Sequence, residues 1–151
     1  MQSNKGLNKT EGEKERPDLS VVVLCYRSGE TIIPFLEQME RELNAGGITN
    51  YELVLVGNYF PNTDDKTPAV ILELANKNPK ITPVILEKKG MMGWDAITGL
   101  NAASGKAIAL IDGDGQMPSR DIVRLYRLLK SGEFDLVKTF RKTRLDGPYR
   151  R

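Results

Sequence analysis

Asp112-Gly113-Asp114-Gly115-Gln116 sets two carboxylates one residue apart, with a side-chain amide two residues further on. The residues before it, Ala107 to Ile111, are all apolar, so the acids stand at the end of a run that reads as a buried strand. In open α/β sheets ligands collect beyond the carboxyl ends of the strands, which is where this run delivers its acids. Carboxylates so close repel one another, and a divalent cation offsets that repulsion. Hard oxygen ligands of this kind suit Mg2+ or Mn2+ bridging to phosphate oxygens. Asp-Gly pairs are also ordinary turn chemistry, so spacing alone leaves a solvated turn as the competing reading.

Several other chemistries are excluded. The 151 residues include no histidine, which removes zinc sites of the usual kind and any Ser/His/Asp triad. Cys25 is the single cysteine, so no internal disulfide forms and a reducing compartment is the simplest setting. Gly99 to Lys106 imitates a Walker loop but has one residue too many between its glycines, and Ala107 stands where Ser or Thr should hold magnesium. No Gly-x-Gly-x-x-Gly follows the first apolar run. An EF-hand fails as well, because Met117 and Val123 occupy the positions that need Gly and Glu. The net charge of +2 is too small to argue for nucleic acid. Basic charge is concentrated at one end, in Lys138, Arg141, Lys142, Arg144, Arg150 and Arg151 against the single acid Asp146. Such a cluster suits phosphate or an anionic membrane surface, or a solvated tail. No apolar run approaches the roughly 18 residues of a membrane span, and the amino terminus lacks a signal-peptide core, so the chain reads as soluble and cytoplasmic.

The elements that must position the acids follow from hydrophobic period. Residues 1–17 are polar and aperiodic and are expected to be a disordered leader, with Pro17 as its boundary. Apolar runs predict strands at residues 19–25, 51–56, 81–86, 107–111 and 135–139. Between them, Ile32, Leu36, Met39 and Leu43 recur at helical spacing up to Gly46-Gly47. Thr67-Pro68 opens a second helix that ends near Asn78-Pro79, with Thr67 as its cap. A third helix covers residues 94–104, with Ile97, Leu100 and Ala103 inward. Ser119 caps a fourth whose inner face is Ile122, Leu125 and Leu129, ended by Gly132. Strands alternating with helices predict an α/β domain over residues 18–140: a mostly parallel twisted sheet of about five strands with helices on both faces.

Strand followed by Asp112-x-Asp114-x-Gln116-x-Pro118 closely resembles the family-2 glycosyltransferases, in particular the dolichyl-phosphate mannose synthase and polyprenyl-phosphate sugar transferase branch. Ser20 to Tyr26 is similar to that family's first strand and its tyrosine, and Tyr51 to Val56 to its second strand. Gly90 to Gly105 resembles its glycine-bearing helix and turn, and Phe134 to Arg141 the segment that ends in an arginine. The resemblance implies a GT-A-like, Rossmann-like half-domain that binds a nucleoside-diphosphate sugar through Mg2+ or Mn2+. It implies Asp112, Asp114 and Gln116 at the metal, and Tyr26, Asn58, Gly90, Asp112 and Arg141 along the donor nucleotide. The expected reaction is an inverting transfer of the sugar to a polyprenyl (dolichyl) phosphate at the cytoplasmic membrane face. That acceptor is already an anion and needs little help from a base, and no catalytic residue is assigned.

Two departures from that pattern bear on function. Leu24 and Arg27 replace the proline and asparagine that usually flank the first-strand tyrosine, and Gly57-Asn58 replaces the Asp-Asp pair that binds the nucleobase. Asn58 can still meet a uracil edge, whereas guanine recognition by a carboxylate at that place is lost. The family also continues into an acceptor-binding half, so residues 141–151 read as a basic tail at its start, and the chain alone is expected to bind donor while turning over little or nothing. A non-catalytic nucleotide-binding or interaction module that retains the fold is the alternative. A receiver-like or phosphatase-like domain is disfavoured because the first strand ends in Cys25-Tyr26 rather than acids.

Overall fold

The structure, a computed structural model, describes residues 15–140. Strand β1 (Leu19–Leu24) leads through a 3-10 turn (Gly29–Thr31) into helix α1 (Ile32–Ala45), then come β2 (Tyr51–Val56), α2 (Thr67–Lys77) and β3 (Ile81–Val84). Helix α3 (Met92–Ala102), strand β4 (Ala107–Asp112) and helix α4 (Arg120–Lys130) complete the sequence of elements. The four strands form one parallel sheet in the order β3-β2-β1-β4.

Strand β1 is central and buried along its whole length. Its side chains alternate between faces with the period of two that a strand imposes. Val21 and Val23 enter the core shared with Ile32, Leu36, Met39 and Leu43 of α1, Ile71 of α2 and Ile122 of α4. Val22 and Leu24 enter a smaller core with Val54, Val56 and Val84, covered by Ala96 and Ala102 of α3. Helices therefore cover both faces, as the apolar runs of β1 and β2 require.

The structure departs from the sequence expectations at several places. Residues 135–139 form no strand: they line an apolar groove beside β4 without entering the ladder, so the sheet has four strands among the described residues rather than about five. Strand propensity is realised only when a neighbouring edge supplies the hydrogen bonds. Helix α3 buries a different face from the one expected: Ile97 and Leu100 are exposed, while Asp95 and Gly99 are buried. Thr67 is the first residue of α2 rather than its cap. Its N–H donates to Asp65 Oδ1 at 3.0 Å, and its hydroxyl accepts from the Gly29 N–H at 2.9 Å. Ser119 stands at the start of α4 but makes no side-chain capping bond.

Residues 1–14 of the expected leader and the whole basic tail, Arg141 included, lie outside the described residues. Arg16 and Pro17 belong to the domain: the Arg16 guanidinium donates to the carbonyls of Ser104 and Gly105, and the Pro17 carbonyl accepts from Lys106 N–H at 2.9 Å.

Candidate functional site

The chain runs β1, β2, β3 outward in one direction and then returns to place β4 on the other side of β1. The strand order reverses between β1 and β4, and ligands of open α/β sheets bind outside the carboxyl ends at such a reversal. Asp112 closes β4 there, opposite Leu24 in the β1 register. The Gly113 N–H donates to the Leu24 carbonyl at 2.9 Å, which carries the ladder one residue past the strand and fixes where the acidic loop begins. No side chain fits at Gly113, since a Cβ would stand 2.7 Å from Ile32 Cδ1 and 3.0 Å from the Leu24 carbonyl. Gly115, at φ +73, then takes the left-handed conformation that turns the loop toward α4.

Within that loop Asp114 Oδ1 accepts the Gln116 N–H at 2.9 Å, an Asx-type bond that orients one carboxylate oxygen and leaves the other open. Asp112, Asp114 and Gln116 are all exposed at the sheet edge. The Asp112 carboxyl is raised above its ordinary value, first by partial burial and then by the charge of Asp114. Among the described residues no third acid, cysteine or histidine joins them. A site of two carboxylates fits Mg2+ or Mn2+, because magnesium is commonly held by one or two carboxylates, with substrate phosphates and water filling the other positions.

Further along the same edge, the ends of β1, β2 and β3 carry a buried polar network. Asn58, 2% exposed, directs its side-chain N–H groups to Asp95 Oδ1 and Thr98 Oγ1, both at 2.9 Å, and its Oδ1 accepts the Leu86 N–H at 2.9 Å. Both amide hydrogens are spent, so Asn58 ties β2 to α3 and to the segment after β3 and has no donor left for a nucleobase. The other oxygen of Asp95 is paired with the Lys88 ammonium, and both side chains are almost fully buried. Lys88 also lies 4.6 Å from the centroid of the Tyr26 ring and 5.7 Å from that of Phe60. Tyr26 itself is half exposed, so one part of its ring meets the cation while the rest borders the cleft. Gly90 is a packing glycine: a Cβ there would stand 2.9 Å from the Trp94 Cβ.

The geometry thus gathers Asp112, Asp114 and Gln116 at one end of the edge and Tyr26 and Asn58 along it. Sequence reasoning missed Lys88 and Asp95. An acid on the small-residue face of α3 was the available signal, but its partners lie 7 and 37 residues away, beyond any local pattern. Cys25, next to Tyr26, is fully buried, and burial pushes its thiol up to about 12, which removes it as a nucleophile at neutral pH.

Comparison with known proteins decides the family. Residues 20–151 match the family model Glycosyl transferase family 2. The chain belongs to glycosyl transferase family 2. It is 28% identical over 141 residues to the undecaprenyl-phosphate 4-deoxy-4-formamido-L-arabinose transferase of Proteus mirabilis, covering 88% of this chain and 40% of that protein. With the protein of that name from Photorhabdus laumondii it shares 31% identity over 136 residues, again 88% of this chain and 40% of the relative. The dodecaprenyl-phosphate galacturonate synthase of Rhizobium johnstonii is 29% identical over 143 residues, 89% of this chain and 39% of that protein. The chain therefore spans about 40% of the length of these relatives. Among its described residues no helix is long and apolar enough to cross a membrane.

Proposed function

We propose that this family-2 chain is the donor-binding part of a metal-dependent, inverting glycosyltransferase that takes a nucleoside-diphosphate sugar and delivers the sugar to a polyprenyl phosphate at the cytoplasmic membrane face. The observation that carries the reading is the position of Asp112 and Asp114, an acid pair at the strand-order reversal between β1 and β4. Asp112 and Asp114 would hold Mg2+ or Mn2+, with Gln116 helping to orient Asp114 through its backbone. The metal would supply Lewis-acid stabilisation of the charge on the leaving diphosphate. This chain's own residues bind and orient: the Gly113–Leu24 bond fixes the start of the acidic loop, and Tyr26 borders the path that a nucleotide takes from β4 toward β2. The acceptor class rests on the relatives, whose names specify undecaprenyl and dodecaprenyl phosphates. The basic residues from Lys138 onward suit an anionic acceptor or surface.

One observation favours the alternative of a non-catalytic nucleotide-binding module: Asn58, where the family carries its base-binding acids, is consumed by internal bonds. Isothermal titration of the chain with UDP, GDP and CDP, each with and without Mn2+, separates the two. The donor site requires binding that depends on Mn2+ and is lost in Asp114→Ala. Binding indifferent to both changes would overturn it in favour of the module.

A further inference from the structure

A second feature of the carboxyl edge lies between the loops that follow β1 and β2. Arg27, Ser28 and Gly29 from the first loop and Asp64, Asp65 and Lys66 from the second line a depression of about 450 Å³, large enough for a base with its ribose. The two loops are held together by the Gly29 N–H donating to Thr67 Oγ1 at 2.9 Å and by the Cys25 N–H donating to the Val56 carbonyl at 2.9 Å. Asp65 is occupied, since its Oδ1 accepts from Thr67 at the start of α2. Asp64 and Arg27 are different. Both are exposed, and neither makes a side-chain hydrogen bond or salt bridge with another described residue, although opposite charges line one depression. The recess therefore offers a carboxylate that only accepts and a guanidinium that only donates, each with its hydrogen bonds unspent among the described residues, the guanidinium lying 5.7 Å from the centroid of the Tyr26 ring. Arg27 adopts φ +51, uncommon for a residue that carries a side chain.

The loop that carries Arg27 leaves β1 beside β4, and the loop that carries Asp64 leaves β2 one strand further out, so the recess and Asp112 share the carboxyl edge of the sheet. A nucleotide whose diphosphate lies at the acid pair would bring its base to the loops after β1 and β2. The residue expected to read that base, Asn58, has no amide hydrogen to give, and Gly57 beside it has no side chain. We infer that the base is read instead by Asp64 and Arg27, and that the base they select is guanine. Guanine places two adjacent donors, N1–H and N2–H2, where one carboxylate can accept both. It also places two adjacent acceptors, O6 and N7, where one guanidinium can donate to both. Uracil presents a single donor between two acceptors, and adenine and cytosine each leave the carboxylate with one amino group and a repelling ring nitrogen. The donor class assigned is a guanosine-diphosphate sugar, and this rests on the reading of Asp112 and Asp114 as the diphosphate end.

The test is equilibrium titration of the chain with GDP, UDP, CDP and ADP in Mn2+, repeated for Asp64→Asn and Arg27→Lys. The substituted side chains are exposed, and unchanged far-UV circular dichroism checks the fold of each variant. GDP should bind about tenfold or more tightly than the other three, as one bidentate pair discriminates. Each variant should cut the preference for GDP about tenfold and leave UDP within about twofold of its wild-type affinity, as expected when one of the two base contacts is lost. Equal affinities for the four nucleotides, or a uniform loss for all four in Asp64→Asn, would overturn the inference while metal-dependent binding left the donor site standing. A guanine preference that ignores Mn2+ and Asp114→Ala would uphold the recess and overturn the donor-site reading. Failure of every nucleotide to bind would overturn both.

Discussion

Asp112 is the residue of the proposed metal site whose electrostatics the fold perturbs. Its folded pKa is raised above 3.8 by burial and by Asp114, so the folded chain holds that proton more tightly than the unfolded chain does. The stability associated with it is fully present below the unfolded pKa and is lost as pH rises through the folded one. Asp112→Asn removes the penalty. Its unfolding midpoint should gain on the wild type as pH is raised from below the carboxylate range to neutrality. The gain is expected to be small because the group is partly exposed. Adding Mn2+ at neutral pH should stabilise the wild type and leave the variant nearly unchanged, since only the wild type keeps both carboxylates. Thermal scans of both proteins at the two pH values, with and without Mn2+, check this. Parallel pH curves would mean that neither burial nor Asp114 raises the Asp112 carboxyl, and equal responses to Mn2+ would remove Asp112 from the proposed site. The acid pair was legible from residues 107–116 alone, because a strand followed at once by acids is a local signal. The role of Asn58 was not. Its side chain is committed to Asp95, Thr98 and the Leu86 N–H, and partners 28 to 40 residues away leave no mark in a short window.

At the scale of elements, β1, β2 and α1 read directly from the sequence, because large apolar side chains do their burying and repeat with the period of a strand or a helix. Helix α3 shows the limit of that signal. Its large side chains Ile97 and Leu100 face outward, and it packs through Ala96, Gly99 and Ala102, so hydrophobic size points to the wrong side. The reason is distance: a Cβ on Gly99 would stand 2.4 Å from Val22 Cγ1 and 2.6 Å from Val56 Cγ2, so the helix backbone rests directly on β1 and β2. The close approach also brings Asp95 within reach of Asn58 and Lys88, which a bulkier helix face would prevent. Gly99→Ala sets two effects against each other. Helix propensity favours alanine by about 1 kcal/mol. Overpacking against two buried valines costs about 1–3 kcal/mol. The contacts are to core side chains that are themselves fully buried, so overpacking should win, and urea denaturation should give a net loss of about 1 kcal/mol or more. A variant as stable as the wild type would mean that α3 can lift from the sheet freely, and the Asn58–Asp95 tie would then not be fixed by packing.

For the whole molecule, β3 and β4 are the two edges of the sheet among the described residues, and β4 is the one that lies beside an apolar groove. Strand β4 pairs with β1 alone among the described residues, and Ile108 and Leu110 stay 43% and 48% exposed. They line an apolar groove of about 420 Å³ together with residues of α4 and the segment at 135–139. A strand edge with free N–H and C=O groups beside exposed apolar side chains is a template for pairing with another chain. The fifth strand expected at 135–139 was misread for the same physical reason: the sequence there has strand character, but ladder bonds need a partner, and no local pattern reports whether one is in reach. The chain should therefore self-associate as its concentration is raised, which sedimentation velocity over about a hundredfold range would detect. Leu110→Lys puts a charge on the exposed side of β4, where native edges use lysine to discourage pairing. The variant should shift the distribution toward monomer while its unfolding free energy stays within about 0.5 kcal/mol of the wild type, as for other surface changes. If wild type and variant sediment alike at every concentration, the free edge of β4 does not govern the association state. If the variant unfolds much more easily, Leu110 contributes to the core more than its exposure allows.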